Sequence, residues 1–185
     1  QHLYGASNHN PNDDTYTFDE TKPFVKTIWD NGGVDTLDFS NFATDLKVNL
    51  NPGVDSYSTI PFSDWSMADN LGLAYGTVIE NGNGGSGDDI ITGNEADNFL
   101  NGYAGNDVIY GGEGNDVIGG KDGDDEIYGE DGDDAVWGMA GDDFISGGLG
   151  NDNLWGGDGN DRFQGGEGND ELVGESGDDV LEGGD

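Results

Sequence analysis

The sequence predicts an all-β protein, in which a parallel β-roll of nonapeptide repeats follows a smaller, non-repetitive β region that caps it. Three observations carry this prediction. A nine-residue repeat runs eleven times without insertion over residues 84–182, its eighth position is apolar from Ile91 to Leu181, and glycine supplies 36 of 185 residues. Average glycine usage is about 7%. A short fixed period decides the architecture, because each repeat must bury its apolar residue against its neighbours.

The first 83 residues lack this period and hold most of the aromatic side chains. Stretches rich in β-branched and aromatic residues, separated by Asn, Asp, Gly and Pro, predict short strands here. One helical turn is predicted at Met67 to Leu71. The expected organisation is a cap at 1–83, the roll at 84–182 and the truncated start of a further repeat at 183–185. The predicted cap strands are Thr15 to Phe18, Phe24 to Trp29, Thr36 to Phe39 and Leu46 to Leu50.

Each repeat divides into a turn and a strand. Position 1 is glycine in all eleven repeats, position 4 is glycine in all but the one with Ala96, and position 5 is always Asp or Asn. Because these residues tolerate left-handed and closely packed backbone, positions 1–6 are predicted to form a tight turn. Positions 7–9 then form a strand with position 8 pointing inward and positions 7 and 9 outward. Two repeats make one 18-residue coil, and the coils stack into two parallel sheets.

The charge balance excludes several classes of partner. There are 40 acidic and 5 basic residues, a formal charge of −35, and residues 84–182 alone hold 27 acidic and 2 basic residues, or −25. Nucleic acids and anionic membranes bind through Lys and Arg, so neither is expected as a partner. No apolar run approaches the roughly 20 residues of a membrane span. The absence of cysteine excludes disulfides and thiolate metal sites.

Position 6 of the repeat predicts calcium sites. It is Asp in ten repeats and Asn98 in the second. Stacking places position 6 of one repeat beside position 6 two repeats later, at a strand spacing of roughly 4.8 Å. Such aspartates repel unless a cation lies between them, and carboxylates with turn carbonyls suit calcium better than magnesium or zinc. Eleven repeats offer nine such gaps, and hence up to nine ions. Without calcium, a disordered acidic tract is the favoured interpretation of the segment.

The ligands expected from this pattern fall into two groups, the position 6 side chains and the carbonyl groups of the turn glycines. Asn98 is included because an amide oxygen is an acceptable calcium ligand. We expect an ion between Asn98 and Asp116, bound more weakly than the others. The side-chain ligands are Asp89, Asn98, Asp107, Asp116, Asp125, Asp134, Asp143, Asp152, Asp161, Asp170 and Asp179. The turn glycines are Gly85, Gly87, Gly105, Gly112, Gly114, Gly123, Gly132, Gly141, Gly148, Gly150, Gly157, Gly159, Gly166 and Gly168.

The nonapeptide resembles the calcium-binding repeat of repeats-in-toxin proteins. That module occurs in proteases, lipases, haemolysins, adhesins and alginate epimerases. The first 83 residues narrow the resemblance, since QHLYGA, TYTF, IWDNGGVDTLDFSNF, VNLNPG and GTVIENGNGGSGDDII are similar to the C-terminal region of serralysin-type secreted zinc proteases. The resemblance implies that the LYG segment closes an upstream protease domain. It also implies type I export through a C-terminal signal and a secreted location. The chain is expected to be a monomer.

The same resemblance implies one calcium site in the cap. Its side-chain ligands would be Asp30, Asp35 and Glu80, together with the carbonyl of Gly32. Backbone oxygens of Asn10, Asn12 and Asp14 would join them, although this chain has NPNDD where the family has Arg-x-Gly-Asp. The alternative is that Asp30 and Asp35 only form turns around Gly32 and Gly33.

No catalytic site is expected in this chain. The family's zinc motif, HExxHxxGxxH, needs three histidines, whereas only His2 and His9 are present and neither has a neighbouring Glu. No Zn²⁺ and no nucleophile set are therefore predicted, and the activity of the parent protein would belong to a zinc metalloendopeptidase domain upstream.

A polysaccharide-binding or adhesion module is the alternative function. The outward position 9 residues include Tyr110 and Tyr128 on one sheet and Trp137 and Trp155 on the other, each pair two repeats apart. Such stacked pairs can bind sugars or a neighbouring domain. Cross-strand packing within the roll explains them as well, and the sequence favours that interpretation.

Overall fold

The computed structural model describes residues 12–21, 26–30, 32–53 and 71–185, and their regular structure is entirely β. The predicted helical turn at Met67 to Leu71 lies outside the described residues except for Leu71, which begins a strand. No helix in the described part of the chain is long and apolar enough to span a membrane. The first seven strands are β1 Thr15–Thr17, β2 Lys26–Ile28, β3 Thr36–Asp38, β4 Lys47–Asn49, β5 Leu71–Leu73, β6 Asn81–Asn83 and β7 Ile90–Thr92.

The remaining ten strands belong to the nonapeptide region and are longer. They recur at nine-residue intervals, as the period predicts. They are β8 Phe99–Ala104, β9 Val108–Glu113, β10 Val117–Asp122, β11 Glu126–Asp131, β12 Ala135–Ala140, β13 Phe144–Leu149, β14 Asn153–Asp158, β15 Arg162–Glu167, β16 Glu171–Ser176 and β17 Val180–Gly184.

The strands stack into two large parallel sheets, as predicted. One sheet has eight strands in the order β1-β3-β6-β8-β10-β12-β14-β16, and the other has seven strands in the order β17-β15-β13-β11-β9-β7-β4. A small sheet pairs β2 with β5. Every paired residue in the roll lies 18 positions from its partner, for example Ile109 opposite Ile127. The chain is therefore a parallel β-roll with two repeats in each coil.

The cap is continuous with the roll. Strands β1, β3 and β6 extend the eight-stranded sheet, and β4 extends the seven-stranded one. Their buried side chains, including Leu37, Phe39, Val48 and Leu50, join the same apolar cluster as Ile91. Both sheets thus pass through the boundary at residues 83 and 84 without interruption, and the described part of the cap forms the first coils of the roll.

Position 8 builds the core, as predicted. From Ile91 to Phe163 these side chains are 0% exposed. Leu172 is only partly buried and Leu181 is 46% exposed. Burying a Val, Leu, Ile or Phe side chain contributes about 1.5 to 3 kcal/mol. The thin core is thus a row of position 8 side chains between the two sheets. Each of these side chains is covered by those of the coils above and below it.

Two details of the turn differ from the prediction. The strands of the repeats have six residues rather than three, because pairing resumes at positions 2 and 3 of the next repeat, as where Lys121 faces Met139. Left-handed backbone occurs at positions 2 and 4, not at positions 1 and 5. Position 1 is glycine for a different reason. A Cβ at Gly102 would lie 2.1 Å from Oδ2 of Asp107, so the packing of the position 6 carboxylate excludes any side chain there.

Candidate metal sites

The position 6 side chains form two continuous ladders, one on each edge of the roll. In all nine predicted gaps, the backbone N–H of one position 6 residue donates to a side-chain oxygen, Oδ1, of the position 6 residue two repeats later. The donor to acceptor distances are 2.7 to 3.0 Å. Position 6 residues two repeats apart are therefore neighbours, as the 18-residue coil predicts.

In seven of these side chains the second carboxylate oxygen has no hydrogen-bond partner among the described residues. Seven Oδ2 atoms are buried and accept no hydrogen bond within the described residues, and their side chains are at most 3% exposed. An uncompensated buried carboxylate is costly, so such a row of oxygens is a site for cations. The seven Oδ2 atoms belong to Asp107, Asp116, Asp125, Asp134, Asp143, Asp152 and Asp161.

Burial and mutual repulsion shift the proton equilibria of this row. Desolvation raises the pKa of Asp107 from its ordinary 3.8 to about 8, and the neighbouring Asp125 and Asp89 raise it further. Desolvation likewise raises the pKa of Asp134 and of Asp143 to about 7. It raises the pKa of Asp116 and of Asp125 to about 6. Without a counter-cation, Asp107, Asp134 and Asp143 therefore hold protons near neutral pH, and a cation would displace these protons.

Six of the seven unpartnered Oδ2 atoms, all except that of Asp125, lie beside a backbone oxygen. A Cβ built at Gly102 would be 2.1 Å from Oδ2 of Asp107 and 2.9 Å from the carbonyl oxygen of Gly120, so both oxygens lie near one point. The same arrangement recurs at Gly138, between Asp143 and Gly156. The position 1 carbonyls were not among the predicted ligands, although the invariance of glycine within the repeats is a signal for close approach.

The predicted turn glycines form columns along both edges. From the third repeat onward, the glycines at position 4 adopt left-handed backbone, as at Gly105, with φ of 112°, and Gly123, with φ of 135°. A Cβ at Gly123 would lie 1.9 Å from the carbonyl oxygen of Gly105. The carbonyls at position 4 therefore point along the column toward the next coil, as do those of Gly148 and Gly166 at position 2.

The first two repeats differ from the rest. Oδ2 of Asp89 accepts the N–H of Gly85 at 2.6 Å, and its Oδ1 accepts the N–H of Leu46 at 2.8 Å. In the second repeat, Oδ1 of Asn98 accepts the N–H of Asn94 at 2.8 Å. Both side chains are thus satisfied by backbone amide groups, whereas Oδ2 has no partner among the described residues in the seven position 6 aspartates from Asp107 to Asp161.

The Asn98 amide nitrogen is also engaged. It donates to the carbonyl oxygen of Glu80 at 3.0 Å and to Oδ1 of Asn94 at 3.3 Å. Hydrogen bonds therefore occupy the side chain that was expected to contribute to an ion site with Asp116, and they tie the second repeat to the cap.

A second ladder, on the exposed side of each turn, comes from position 5. In nine successive bonds the side-chain oxygen accepts the position 5 N–H two repeats later, as from Asn106 to Asp88 at 2.8 Å and from Asp142 to Asp124 at 2.9 Å. The direction is opposite to that of the position 6 ladder. From the sequence, position 5 is interpreted only as a turn-forming position. The presence of Asp or Asn there in all eleven repeats is the signal that could have predicted this second ladder.

The cap contains an acidic cluster. Carboxylate oxygens of Asp14, Asp30 and Asp35 lie within 4.8 Å of one another, and Asp30 and Asp35 are buried. The structure thus brings together two of the expected ligands and adds the side chain of Asp14, of which only a backbone oxygen was expected. Glu80 contacts the cluster through its Oε2, which accepts the N–H of Asp35 at 2.7 Å. Asn10 lies outside the described residues.

The cluster has an orphaned oxygen of its own. Oδ2 of Asp35 is buried and accepts no hydrogen bond within the described residues, and burial raises the Asp35 pKa to about 6, with the Asp30 charge adding to the effect. The Tyr16 hydroxyl donates to Oδ2 of Asp30. A Cβ at Gly33 would lie 2.3 Å from the Asn12 carbonyl oxygen, so glycine allows the Asn12 segment to approach the turn.

Comparisons with known proteins show what the sequence is similar to. The sequence model of the family described as "Peptidase M10 serralysin C terminal" matches residues 1–183. Similar proteins include a serralysin of Photorhabdus laumondii, 42% identical over 95 residues, and serralysin C of Dickeya chrysanthemi, 42% identical over 104 residues. The metallopeptidase AprA of Pseudomonas marginalis is 39% identical over 109 residues.

The matches cover part of each protein. They include 51%, 49% and 52% of this chain and 18%, 20% and 22% of the three relatives, in the same order. The matched region is thus about a fifth of the length of these relatives.

Proposed function

The chain belongs to the peptidase M10 serralysin C-terminal family, and from this membership we propose that it is the calcium-binding C-terminal domain of a secreted serralysin-type metalloprotease. Its role is to fold when calcium binds outside the cell and to support the export and stability of the parent protease. Proteolysis is the activity of the parent, supplied by a zinc metalloendopeptidase domain upstream.

The observation that carries the proposal is the row of buried Oδ2 atoms at position 6. Seven carboxylates have one oxygen bonded to backbone and one without a partner. Burial of unpaired charge opposes folding, so the metal-free roll is penalised at every coil. Bound Ca²⁺ supplies positive charge and accepts six to eight oxygen ligands, which carboxylates and carbonyls offer here.

The proposed sites start at the third repeat. There are seven gaps in which neither position 6 side chain is satisfied by a position 2 amide, from the gap between Asp107 and Asp125 to the gap between Asp161 and Asp179. The gaps that begin at Asp89 and Asn98 differ, because the cap amide groups and carbonyl already bind those side chains. We therefore propose seven ions in the roll, which would offset 14 of its 25 net negative charges.

An eighth ion is proposed in the cap. Asp14, Asp30 and Asp35 supply the carboxylates, and the orphaned Oδ2 of Asp35 makes the cluster more than an exposed acidic patch. Glu80 orients Asp35, because Oε2 of Glu80 accepts the backbone N–H of Asp35. The site would fasten the segment at Asn12 to the first coils.

Calcium concentration sets the folding state in this proposal. Extracellular calcium sites bind with dissociation constants of about 10⁻⁴ to 10⁻³ M, so the micromolar or lower calcium of the cytosol leaves them empty. Ligands that bind only the folded state stabilise it by mass action. The unfolded chain is suited to the type I secretion apparatus, and millimolar calcium outside the cell completes folding.

The test is a calcium titration of the purified chain after treatment with a chelator, followed by far-ultraviolet circular dichroism and amide exchange. Magnesium is the matched control ion, because it demands a stricter octahedral site. We expect cooperative gain of β signal with calcium and not with equal magnesium. Native amide protection over residues 84–182 in excess chelator would contradict the proposal.

A further inference from the structure

One outer face of the roll differs from the rest of this acidic protein. On the eight-stranded sheet, the twelve residues at positions 7, 9 and 2 of strands β8, β10, β12 and β14 include no acidic residue and one cation, Lys121. Four of them are large and exposed, with Phe99 at 50%, Met139 at 40%, Tyr103 at 39% and Val117 at 36%. The twelve are Phe99, Asn101, Tyr103, Val117, Gly119, Lys121, Ala135, Trp137, Met139, Asn153, Trp155 and Gly157.

A slot opens at the centre of this face. Asn101, Gly119, Trp137 and Trp155 stand opposite one another at position 9 of successive coils. The indoles of Trp137 and Trp155 stack with centroids 4.9 Å apart and planes 5° from parallel. Gly119 has no side chain, so one rung of the ladder is missing and a pocket of about 240 Å³ borders Trp137 there.

The width of the slot suits a single ring. Asn101 and Trp137 are two strand spacings apart, about 9.6 Å. One stacked ring placed midway would continue the spacing of the Trp137 and Trp155 pair. Trp155 covers one face of the Trp137 indole, and the face toward Gly119 is the one a ring in the slot would meet.

The slot also contains a hydrogen-bond acceptor and a donor. The Asn101 side chain is buried at 6% exposure, and its amide nitrogen donates to Oδ1 of Asn83 at 3.1 Å. Its Oδ1 accepts no hydrogen bond from the described residues and lies 3.3 Å from the Cβ position of Gly119. Cε and Nζ of Lys121 each lie 3.2 Å from the same point, so the lysine side chain reaches over Gly119 and moves aside when a ring enters the slot. An oriented amide oxygen and an ammonium group thus meet where the ring is missing.

The residues around the slot are held in strained backbone. Tyr103, Lys121 and Met139 occupy position 2 in successive coils with φ of 83°, 95° and 88°. On the other sheet, the same position is glycine at Gly112 and Gly148, and Glu130 between them is also left-handed, with φ of 78°. Non-glycine residues in left-handed backbone are unfavourable and cluster at binding sites. Here they place side chains at the rim of the slot.

We propose that this slot binds one pyranose ring of a neutral glycan, stacked on the free face of Trp137. Sugar hydroxyl groups would donate to Oδ1 of Asn101 and accept from Nζ of Lys121. A hydrocarbon ring from a protein partner would leave both groups unpaired, which is costly when they are desolvated. Binding of an anionic sugar is disfavoured, because Lys121 is the one cation among the twelve residues of this face and the chain as a whole has a net charge of −35.

The test is a titration of the full chain, in calcium, with maltotriose, cellotriose and chitotriose, followed by tryptophan fluorescence and the indole N–H resonances. We expect at least one trisaccharide to bind with a dissociation constant of about a millimolar and to shift the Trp137 resonance. Gly119→Trp, which completes the ladder, should weaken binding about tenfold or more. Lys121→Met should weaken it about threefold.

The matched control is Ser146→Trp. It extends the Tyr110 and Tyr128 stack on the opposite sheet and leaves the slot open. Circular dichroism in calcium verifies that each variant folds. Ser146→Trp should bind as the parent chain does. The proposal is overturned if no neutral trisaccharide binds, if Gly119→Trp binds equally well, or if N-acetyltyrosinamide or a galacturonate trimer occupies the slot in place of neutral sugars.

Discussion

The backbone N–H of Asp107 donates to Oδ1 of Asp125, two repeats later, at 2.8 Å, while Oδ2 of each carboxylate is buried without a partner among the described residues. The hydrogen bond fixes the orientation of the Asp125 carboxylate, and the second oxygen is left to a ligand. Each of the seven aspartates with an unpartnered Oδ2 thus has one oxygen bonded to backbone and one oxygen left for a ligand, and the two can be tested separately.

Asp125→Asn separates the charge of the ladder from its hydrogen bond, because the amide oxygen can still accept from Asp107. We expect the calcium midpoint of folding to rise about three- to tenfold, since one charged partner is lost at two gaps. Asp124→Asn removes the same charge from the adjacent, exposed position 5 and should change the midpoint little. Asp179→Asn, which serves one gap, should give an intermediate shift. Equal midpoints for all three would argue against shared ligands in the position 6 ladder.

Gly102→Ala tests the packing of the position 6 carboxylate. The new Cβ would lie 2.1 Å from Oδ2 of Asp107, so the side chain or the coil must move. Overpacking of this kind typically costs about 1 to 3 kcal/mol. Gly183→Ala is the control, because a Cβ there meets nothing within 4 Å. Chemical denaturation in saturating calcium should show the loss for Gly102→Ala alone, and an unchanged midpoint for that variant would show that the contact is easily relieved.

The metal-free chain should become more stable as the pH falls. The folded-state pKa of Asp107 is raised to about 8 and that of Asp134 and Asp143 to about 7, above the ordinary 3.8. The folded chain therefore binds more protons than the unfolded chain, so this stabilisation is complete below about pH 4 and is lost as the pH rises through 7 to 8. Circular dichroism in chelator should show more β signal at about pH 5 than at about pH 8.

Calcium binding should have the opposite pH dependence, because protons compete for the same carboxylates. The apparent dissociation constant of the folded chain for calcium should be higher at about pH 5 than at about pH 8. A dissociation constant independent of pH would mean that the buried carboxylates are not the ligands.

Asn98→Asp should not add an ion. Aspartate loses the amide donor that binds the Glu80 carbonyl and Oδ1 of Asn94, and it places a carboxylate oxygen near both acceptors. We expect a loss of about 1 to 3 kcal/mol in stability, the cost of breaking a buried hydrogen-bonded group. Metal analysis after gel filtration should give eight calcium ions for the parent chain and for the variant. A gain of one ion would instead place a site between Asn98 and Asp116.

The chain by itself should have no protease activity, with or without added zinc. Its two histidines, His2 and His9, cannot form the three-histidine zinc motif of the family. Casein digestion by the purified chain is the measurement, and its activity with and without a zinc-specific chelator is the control. Chelator-sensitive cleavage would show that the chain carries a catalytic metal site.

The sequence alone determined the parallel roll and the neighbours within it. In a structure where each coil contacts only the next, an unbroken nine-residue period dictates both the 18-residue register and the inward position 8 ladder, so Asp107 must lie beside Asp125. The acidic composition likewise indicated a need for cations. These conclusions depend on contacts between neighbouring coils that recur along the chain, and the nine-residue period of the sequence predicts such contacts directly.

Only the tertiary structure decided which oxygens are free. By sequence, Asp89 and Asn98 are members of the ladder, yet backbone groups of Leu46 and Glu80 in the cap satisfy their side chains. These contacts join residues 43 and 18 positions apart, and the cap residues belong to no repeat from which the contacts could be predicted. The slot at Gly119 also depends on the Asn83 hydrogen bond that orients Asn101. Side-chain orientation is set by partners in neighbouring coils, and a pattern of residue types does not specify it.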